Sequence, residues 1–267
     1  MAAPDRPAIG IFDSGVGGLT VVRQIAERLP AERIVYLGDT ARVPYGTKSA
    51  ETVIRYARAC ASVLLKRGIK MLVVACNTAS AHALAALRDE LAIPVLGVIE
   101  PGAHQAVQTT KSGRIGVIGT SGTISSGAYQ NAIHALNSAA QVFVQPCPLF
   151  VPLVEEGWTE GPIPKQIASA YLAGLLEHNI DTLVLGCTHY PLLKNVIGEV
   201  AGPRVTLVDS AESVADVVAE TLQCMGATAE GLSSGNTFLV SDAPESFDRV
   251  GGRFLGRGID KVEWVDF

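Results

Sequence analysis

The chain has 267 residues, of which 48% are apolar and 18% are charged, and its formal net charge is −5. That length is enough for one large or two modest domains with hydrophobic cores of their own. No basic block interleaved with aromatic residues is present, so nucleic acid is excluded as an expected partner. No apolar run reaches the roughly 18 residues of a membrane-spanning helix, and no signal peptide is visible, so we expect a cytoplasmic protein without membrane contact.

Strand and helix patterns alternate from the first strand onward. Short apolar runs predict buried strands at 8–13, 33–39, 71–76 and 93–99. The segments between them carry apolar residues at helical spacing, for example in "LTVVRQIAERLP". This alternation indicates βαβ units and a mostly parallel sheet.

The second part of the chain repeats the same order of strands. Four of its segments follow counterparts in the first part at offsets of 106, 108, 111 and 110 residues. The pairs are 9–17 with 115–123, 33–39 with 141–147, 71–77 with 182–188, and 94–100 with 204–210. Such near-constant offsets are typical of an internal duplication of one α/β unit.

The repeat predicts an α/β fold of two pseudo-symmetric, parallel-sheet domains with the active site in the cleft between them. Residues 237–242 and 261–267 are expected to form two more strands, with helices at 211–226 and near 246–255. Because this last segment can close back on the first half, we predict a discontinuous first domain, 1–98 plus 208–267. The second domain is then 99–207.

Ligands of parallel α/β sheets bind beyond the carboxyl ends of the strands, which makes the residues at those ends the candidates for a site. They are Asp13 and Ser14, Tyr45 and Gly46, Cys76, Asn77 and Thr78, Thr120, and Cys187, Thr188 and His189. If the two halves face each other, Cys76 and Cys187 come from opposite sides of one cleft. Two facing thiols suit proton transfer on both faces of a single carbon, since a thiol ionises near working pH.

Other interpretations of these residues are open at this point. A cysteine hydrolase would use Cys187 with His189 but would leave Cys76 unexplained. A binding or regulatory protein would need no paired thiols. Glu155 and Glu156 either lie in a solvated loop or line the cleft. The sequence has no zinc-binding or phosphate-binding pattern, so no metal is expected, and Cys60, Cys147 and Cys224 are expected to be structural.

Six motifs resemble one known family. They are "GIFDSGVGGLTV", "LGDTARVPYG", "VACNTASA", "GVIGT", "FVPLVEEG" and "LGCTHYPLL". In this order they resemble the cofactor-independent aspartate/glutamate racemase superfamily, and its glutamate racemases in particular. The resemblance implies interconversion of L- and D-glutamate, which supplies D-glutamate for peptidoglycan, without pyridoxal phosphate or metal. An aspartate or other amino-acid racemase is the alternative.

The resemblance also implies roles for individual residues. Cys76 and Cys187 would be the two acid–base groups, Cys76 acting on D-glutamate and Cys187 on L-glutamate. Asp13, Glu155 and His189 would assist the thiols. The implied substrate contacts are Asp13, Ser14, Tyr45, Gly46, Asn77, Thr78, Thr120, Thr188 and His189. Family members are often dimers, so a homodimer is expected to be possible.

Overall fold

A computed structural model describes residues 6–231, 235–259 and 261–267. The strands are β1 (Ala8–Asp13), β2 (Ile34–Gly38), β3 (Ile69–Val74), β4 (Val95–Gly97), β5 (Arg114–Gly119), β6 (Gln141–Pro146), β7 (Thr182–Gly186), β8 (Thr206–Asp209), β9 (Thr237–Val240) and β10 (Val262–Trp264). The helices are α1 (Leu19–Arg28), α2 (Ala50–Leu65), α3 (Asn77–Glu90), α4 (Ile99–Thr109), α5 (Ser121–Ser125), α6 (Ala128–Leu136), α7 (Phe150–Glu155), α8 (Pro162–Glu177), α9 (Lys194–Ala201), α10 (Ser210–Cys224) and α11 (Pro244–Leu255). Over these ranges no helix is both long and apolar enough to cross a bilayer.

The strands form two parallel sheets that share one topology. The first has the order β10-β9-β2-β1-β3-β4 and the second has the order β6-β5-β7-β8. Within the described residues, the four repeated strands therefore occupy the same relative places in each sheet, as the offsets predict. The predicted α/β fold with two pseudo-symmetric parallel sheets is confirmed, and β9 and β10 extend the first sheet alone.

Buried, β-branched strands explain why the sheets are parallel and covered on both faces. Every residue of β1, β2 and β7 is buried, which is the pattern of strands with helices on either side. The connecting helices begin and end at recognisable signals. Ser49 caps α2 by accepting a hydrogen bond from the Thr52 amide, and Gly68 adopts a positive φ of 72° after that helix.

Helix α10 links the two halves, because it follows β8 of the second sheet and packs against both α1 and α4. The strands of the first sheet come from 8–97 and 237–264, and those of the second come from 114–209. The predicted boundary between residues 207 and 208 falls inside β8. The domain limits themselves stay a prediction.

Candidate active site

The predicted site residues meet where the carboxyl ends of the two sheets face each other. Contacts between the halves connect them directly. The Thr20 hydroxyl donates to the backbone carbonyl of Thr188 over 3.2 Å, and the hydroxyls of Thr78 and Thr120 lie 2.9 Å apart. The topology thus places the ends of β1, β3, β5 and β7 around one site, as expected for parallel sheets.

Cys76 lies at the start of α3, in the N-cap position. Its sulfur accepts a hydrogen bond from the Ala79 amide at 3.5 Å, and its thiol lies 3.8 Å from the Ser14 hydroxyl. Burial and the neighbouring Asp13 carboxylate raise the pKa of Cys76 to about 12, and Cys187 adds to this rise. The two thiols therefore lie within electrostatic range of each other, and Cys76 is a protonated thiol at neutral pH.

Cys187 follows β7 and has a different partner. The His189 Nδ1 atom lies 4.0 Å from the Cys187 sulfur, and its Nε2 atom lies 3.0 Å from Glu155 Oε1. Burial by itself lowers the pKa of His189, but the hydrogen bonds to Cys187 and Glu155 outweigh it and raise that pKa to about 10. The Cys187 sulfur thus has an imidazole as its neighbour, whereas Cys76 has the Asp13 carboxylate nearby.

Glu155 is the last residue of α7, and it lines the site instead of lying in a solvated loop. Its carboxylate holds the His189 Nε2 proton, which leaves Nδ1 as the nitrogen that faces sulfur. The side chain of Glu155 is 39% exposed, whereas that of His189 is 7% exposed. The chain of groups from Cys187 through His189 to Glu155 therefore ends at solvent. Glu156 is exposed and outside the site.

Asp13 is fully buried at the end of β1, and one of its oxygens accepts a hydrogen bond from the Gly15 amide over 3.2 Å. Burial raises its pKa, and the positive charge of His189 opposes that rise. Its other oxygen, Oδ1, has no hydrogen-bond partner among the described residues. Asp13 thus has one carboxylate oxygen without a hydrogen-bond partner among the described residues, and it interacts electrostatically with both Cys76 and His189.

Three hydroxyl groups form a cluster between the halves. Thr78 lies at the start of α3, and Thr120 caps α5. Thr123 lies 3.2 Å from Thr78 and 3.0 Å from Thr120, measured between hydroxyl oxygens. The sequence interpretation missed Thr123. The sequence did contain a signal for it, because Thr123 comes three residues after Thr120, which caps α5. The side chain at that position lies at the same end of the helix as the cap.

Tyr45 and Gly46 form a tight turn against the second half. The Tyr45 hydroxyl donates to Asp39 over 2.5 Å and lies 3.8 Å from the Cys60 sulfur, and its ring is buried. A Cβ atom on Gly46 would lie 2.7 Å from the Cβ of Thr120, so only glycine allows this approach.

The residues that surround the two thiols on α3 and after β7 are buried. Cys76, Asn77, Thr78, Cys187, Thr188 and His189 are each 6% exposed or less. A Cβ on Gly17 would lie 2.3 Å from the Thr188 hydroxyl and 2.5 Å from His189 Nδ1, which shows how tightly the β1–α1 loop packs on the second half. Two surface cavities of about 850 and 860 Å³ lie elsewhere, at α1 with α11 and at α4 with α6.

The remaining three cysteines differ in their burial. Cys60 and Cys147 are buried, as the apolar surroundings of each predict, and Cys224 is exposed at the end of α10. Over the part of the chain that the structure describes, no group of three or more histidine, cysteine or acidic side chains could hold a metal ion.

Comparison with known proteins assigns this arrangement to a family. The sequence model for Asp/Glu/Hydantoin racemases matches residues 9–218. The chain belongs to this racemase family. A glutamate racemase from Geobacter metallireducens is 60% identical over 259 residues, which are 97% of this chain and 96% of that protein.

Solved structures of racemases have the same architecture. Glutamate racemase isoform RacE1 from Bacillus anthracis matches with a TM-score of 0.95 and 43% identity, covering 99% of both chains. The glutamate racemase from Francisella tularensis, solved in complex with D-glutamate, matches with a TM-score of 0.92 and 38% identity over 98% of each chain. The likeness to glutamate racemases therefore extends over essentially the whole chain in sequence and in fold.

Proposed function

We propose that this chain is a glutamate racemase, an isomerase that interconverts L- and D-glutamate by proton transfer between Cα and two cysteines. The observation that carries the proposal is the pair of buried thiols, Cys76 and Cys187, at equivalent strand ends of two duplicated halves. Membership of the racemase family and the similarity to glutamate racemases support it.

Racemisation needs one group to remove the α-proton and another to deliver a proton to the opposite face. With L-glutamate, the Cys187 thiolate takes the α-proton and becomes a thiol, and the Cys76 thiol gives its proton to the other face and becomes a thiolate. One C–H bond breaks and one forms, so no oxidant or cofactor is required. The reaction from D-glutamate runs in reverse, starting from the Cys76 thiolate.

The neighbours of each thiol would adjust its charge. His189, held by Glu155, stabilises the Cys187 thiolate and carries its proton toward solvent. The N-terminus of α3 and the Ser14 hydroxyl stabilise the Cys76 thiolate. The Asp13 carboxylate disfavours that thiolate and so favours the thiol form, which can donate a proton. The two chemically identical thiols therefore have different neighbours, a carboxylate beside Cys76 and an imidazole beside Cys187.

The substrate carboxylates would be bound by donors that lie at the strand and helix ends around the two thiols. These are the side chains of Ser14, Asn77, Thr78, Thr120, Thr123 and Thr188 and the backbone amides at Tyr45 and Gly46. Aimed donors in a site without water stabilise the negative charge that develops when the α-proton leaves. Asn77, Thr78, Thr123 and Thr188 are buried, and their burial would serve the chemistry as well as the fold.

The test is racemisation without added cofactor. L-glutamate, D-glutamate and L-aspartate are incubated separately with the purified chain, and circular dichroism follows the loss of optical activity. We expect both enantiomers of glutamate to reach the racemate and aspartate to react far more slowly. Loss of signal with aspartate but not with glutamate would move the assignment to an aspartate racemase.

Further proposals concern the setting of the enzyme. We propose that its D-glutamate is used for peptidoglycan, that it acts in the cytoplasm, and that 1–98 with 208–267 forms one domain and 99–207 the other. A homodimer stays a prediction from the family resemblance.

A further inference from the structure

Tyr129 connects the two cysteine-bearing strand ends, although it belongs to none of the motifs. It lies on α6 of the second half and is 1% exposed. Its hydroxyl donates to the Asn77 side-chain oxygen over 2.7 Å, and Asn77 directly follows Cys76. Its ring packs so closely on Gly186, the residue before Cys187, that a Cβ there would lie 3.0 Å from the ring.

The hydrogen bond from Tyr129 determines which way the Asn77 amide faces. Because Oδ1 accepts from the phenol, the Nδ2 group is on the other side of the amide. That Nδ2 atom is buried and has no hydrogen-bond partner among the described residues. A buried amide donor without a partner is a costly arrangement unless a ligand supplies the acceptor.

We propose that Tyr129 is a positioning residue that holds the Asn77 amide with its Nδ2 donor toward a substrate carboxylate. This inference rests on the proposed function, because the acceptor is a carboxylate of glutamate. Without the phenol hydroxyl, the amide can rotate by half a turn and present its oxygen to the carboxylate, which is repulsive. The hydroxyl therefore acts on substrate binding through Asn77 and touches no reacting atom.

The surroundings of Tyr129 suit this role. Burial raises its pKa above the ordinary range, with a hydrogen bond from Ser210 opposing the rise, so the phenol stays a donor over the whole working pH range. A Phe at this position keeps the ring against Gly186 and removes the hydroxyl, with its hydrogen bonds to Asn77 and Ser210. The packing role and the positioning role of Tyr129 are therefore separable by one substitution.

The experiment is a double-mutant cycle with Tyr129→Phe, Asn77→Ala and the combined variant, assayed with L- and D-glutamate. We expect Tyr129→Phe to raise KM for both enantiomers by about 5- to 10-fold, as for a lost hydrogen bond, and to lower kcat by less. In the Asn77→Ala background the same change should alter KM by less than about twofold, because the group it acts through is gone.

Tyr190→Phe is the matched control. It also removes a buried phenol oxygen, but that hydroxyl donates to the backbone carbonyl of Cys147 over 2.8 Å. Its effect on KM should be the same with Asn77 or Ala at position 77. Thermal unfolding of every variant checks that each one is folded.

Two results would overturn the role of Tyr129 while leaving the proposed function intact. One is an unchanged KM in a folded Tyr129→Phe variant, and the other is an equal rise of KM in the Asn77→Ala background. A wild-type chain that does not racemise glutamate overturns the proposed function, and this inference falls with it.

Discussion

The two halves of the molecule share one topology but place their thiols in opposite electrostatic surroundings. Cys76 lies beside the buried Asp13 carboxylate, and its pKa is raised to about 12 by burial and by that charge. Cys187 lies beside His189, whose own pKa is raised to about 10. The two thiols thus follow equivalent strands of the two sheets but have different neighbours, a carboxylate beside one and an imidazole beside the other.

The largest expected effect comes from removing either thiol. Cys76→Ser and Cys187→Ser should each lower racemisation by about 10²- to 10⁴-fold, because a hydroxyl is a far weaker acid than a thiol and is not ionised near neutral pH. The racemisation assay with both enantiomers measures this. A variant that keeps the wild-type rate would show that only one thiol takes part. Cys224→Ser, at an exposed position away from the site, is the matched control and should be active.

Gly17→Ala tests how closely the halves must approach. Its Cβ would lie 2.3 Å from the Thr188 hydroxyl and would push the β1–α1 loop away from Cys187. We expect kcat/KM to fall by about 10²-fold, the effect of a misplacement near 1 Å at a reacting centre. Gly174→Ala on α8 is the control, since nothing lies within 4 Å of a Cβ there. Equal activity of the two variants would mean that this close contact is irrelevant to catalysis.

His189→Asn should make the two proton transfers unequal in a measurable way. Enantiomers have an equilibrium constant of one, so kcat/KM must fall equally in both directions. The primary isotope effect need not be equal, because the step at Cys187 alone becomes slower. We expect a larger effect with L-[2-²H]glutamate than with D-[2-²H]glutamate. Equal isotope effects for both enantiomers would place His189 outside the proton transfer at Cys187.

The smallest expected effect is on the pH dependence of stability. The folded-state pKa of His189 is raised from 6.5 to about 10, so its stabilising contribution is fully present below pH 6.5 and is lost as pH rises through 10. Between those values, wild type should lose more than about 1.4 kcal/mol of unfolding free energy relative to His189→Asn. Urea unfolding of both proteins at pH 6 and pH 10 measures this. The same difference in unfolding free energy between wild type and variant at both pH values would contradict it.

The strands of the two sheets and the site residues that directly follow them could be predicted from the sequence. The repeat offsets identified the four matched strands, and the polar residues after them identified Asp13, Cys76, Cys187 and His189. The sequence did not show that the Tyr45 hydroxyl bonds to Asp39, since that depends on how the chain folds around both residues.

Residues on helices were harder to find from the sequence. Thr123 and Tyr129 follow no strand, and each meets the other half through a tertiary contact, Thr123 of α5 with Thr78 and Tyr129 of α6 with Asn77. Helical periodicity predicts which face of a helix is buried but not which partner it meets. Glu155 was named from the family resemblance, whereas the residue pattern alone left open whether it lies in a solvated loop or lines the cleft; its contact with His189 supports the second.

The most direct test of proton transfer on two faces is the position of deuterium after a short reaction of L-glutamate in D₂O. Proton NMR of the separated enantiomers reports the label at Cα. Two thiols on opposite faces predict deuterium in the D-glutamate first formed and protium in the L-glutamate that remains. D-glutamate that retains the protium of the substrate, or equal labelling of both enantiomers from the start, would contradict the assignment of Cys76 and Cys187 to opposite faces.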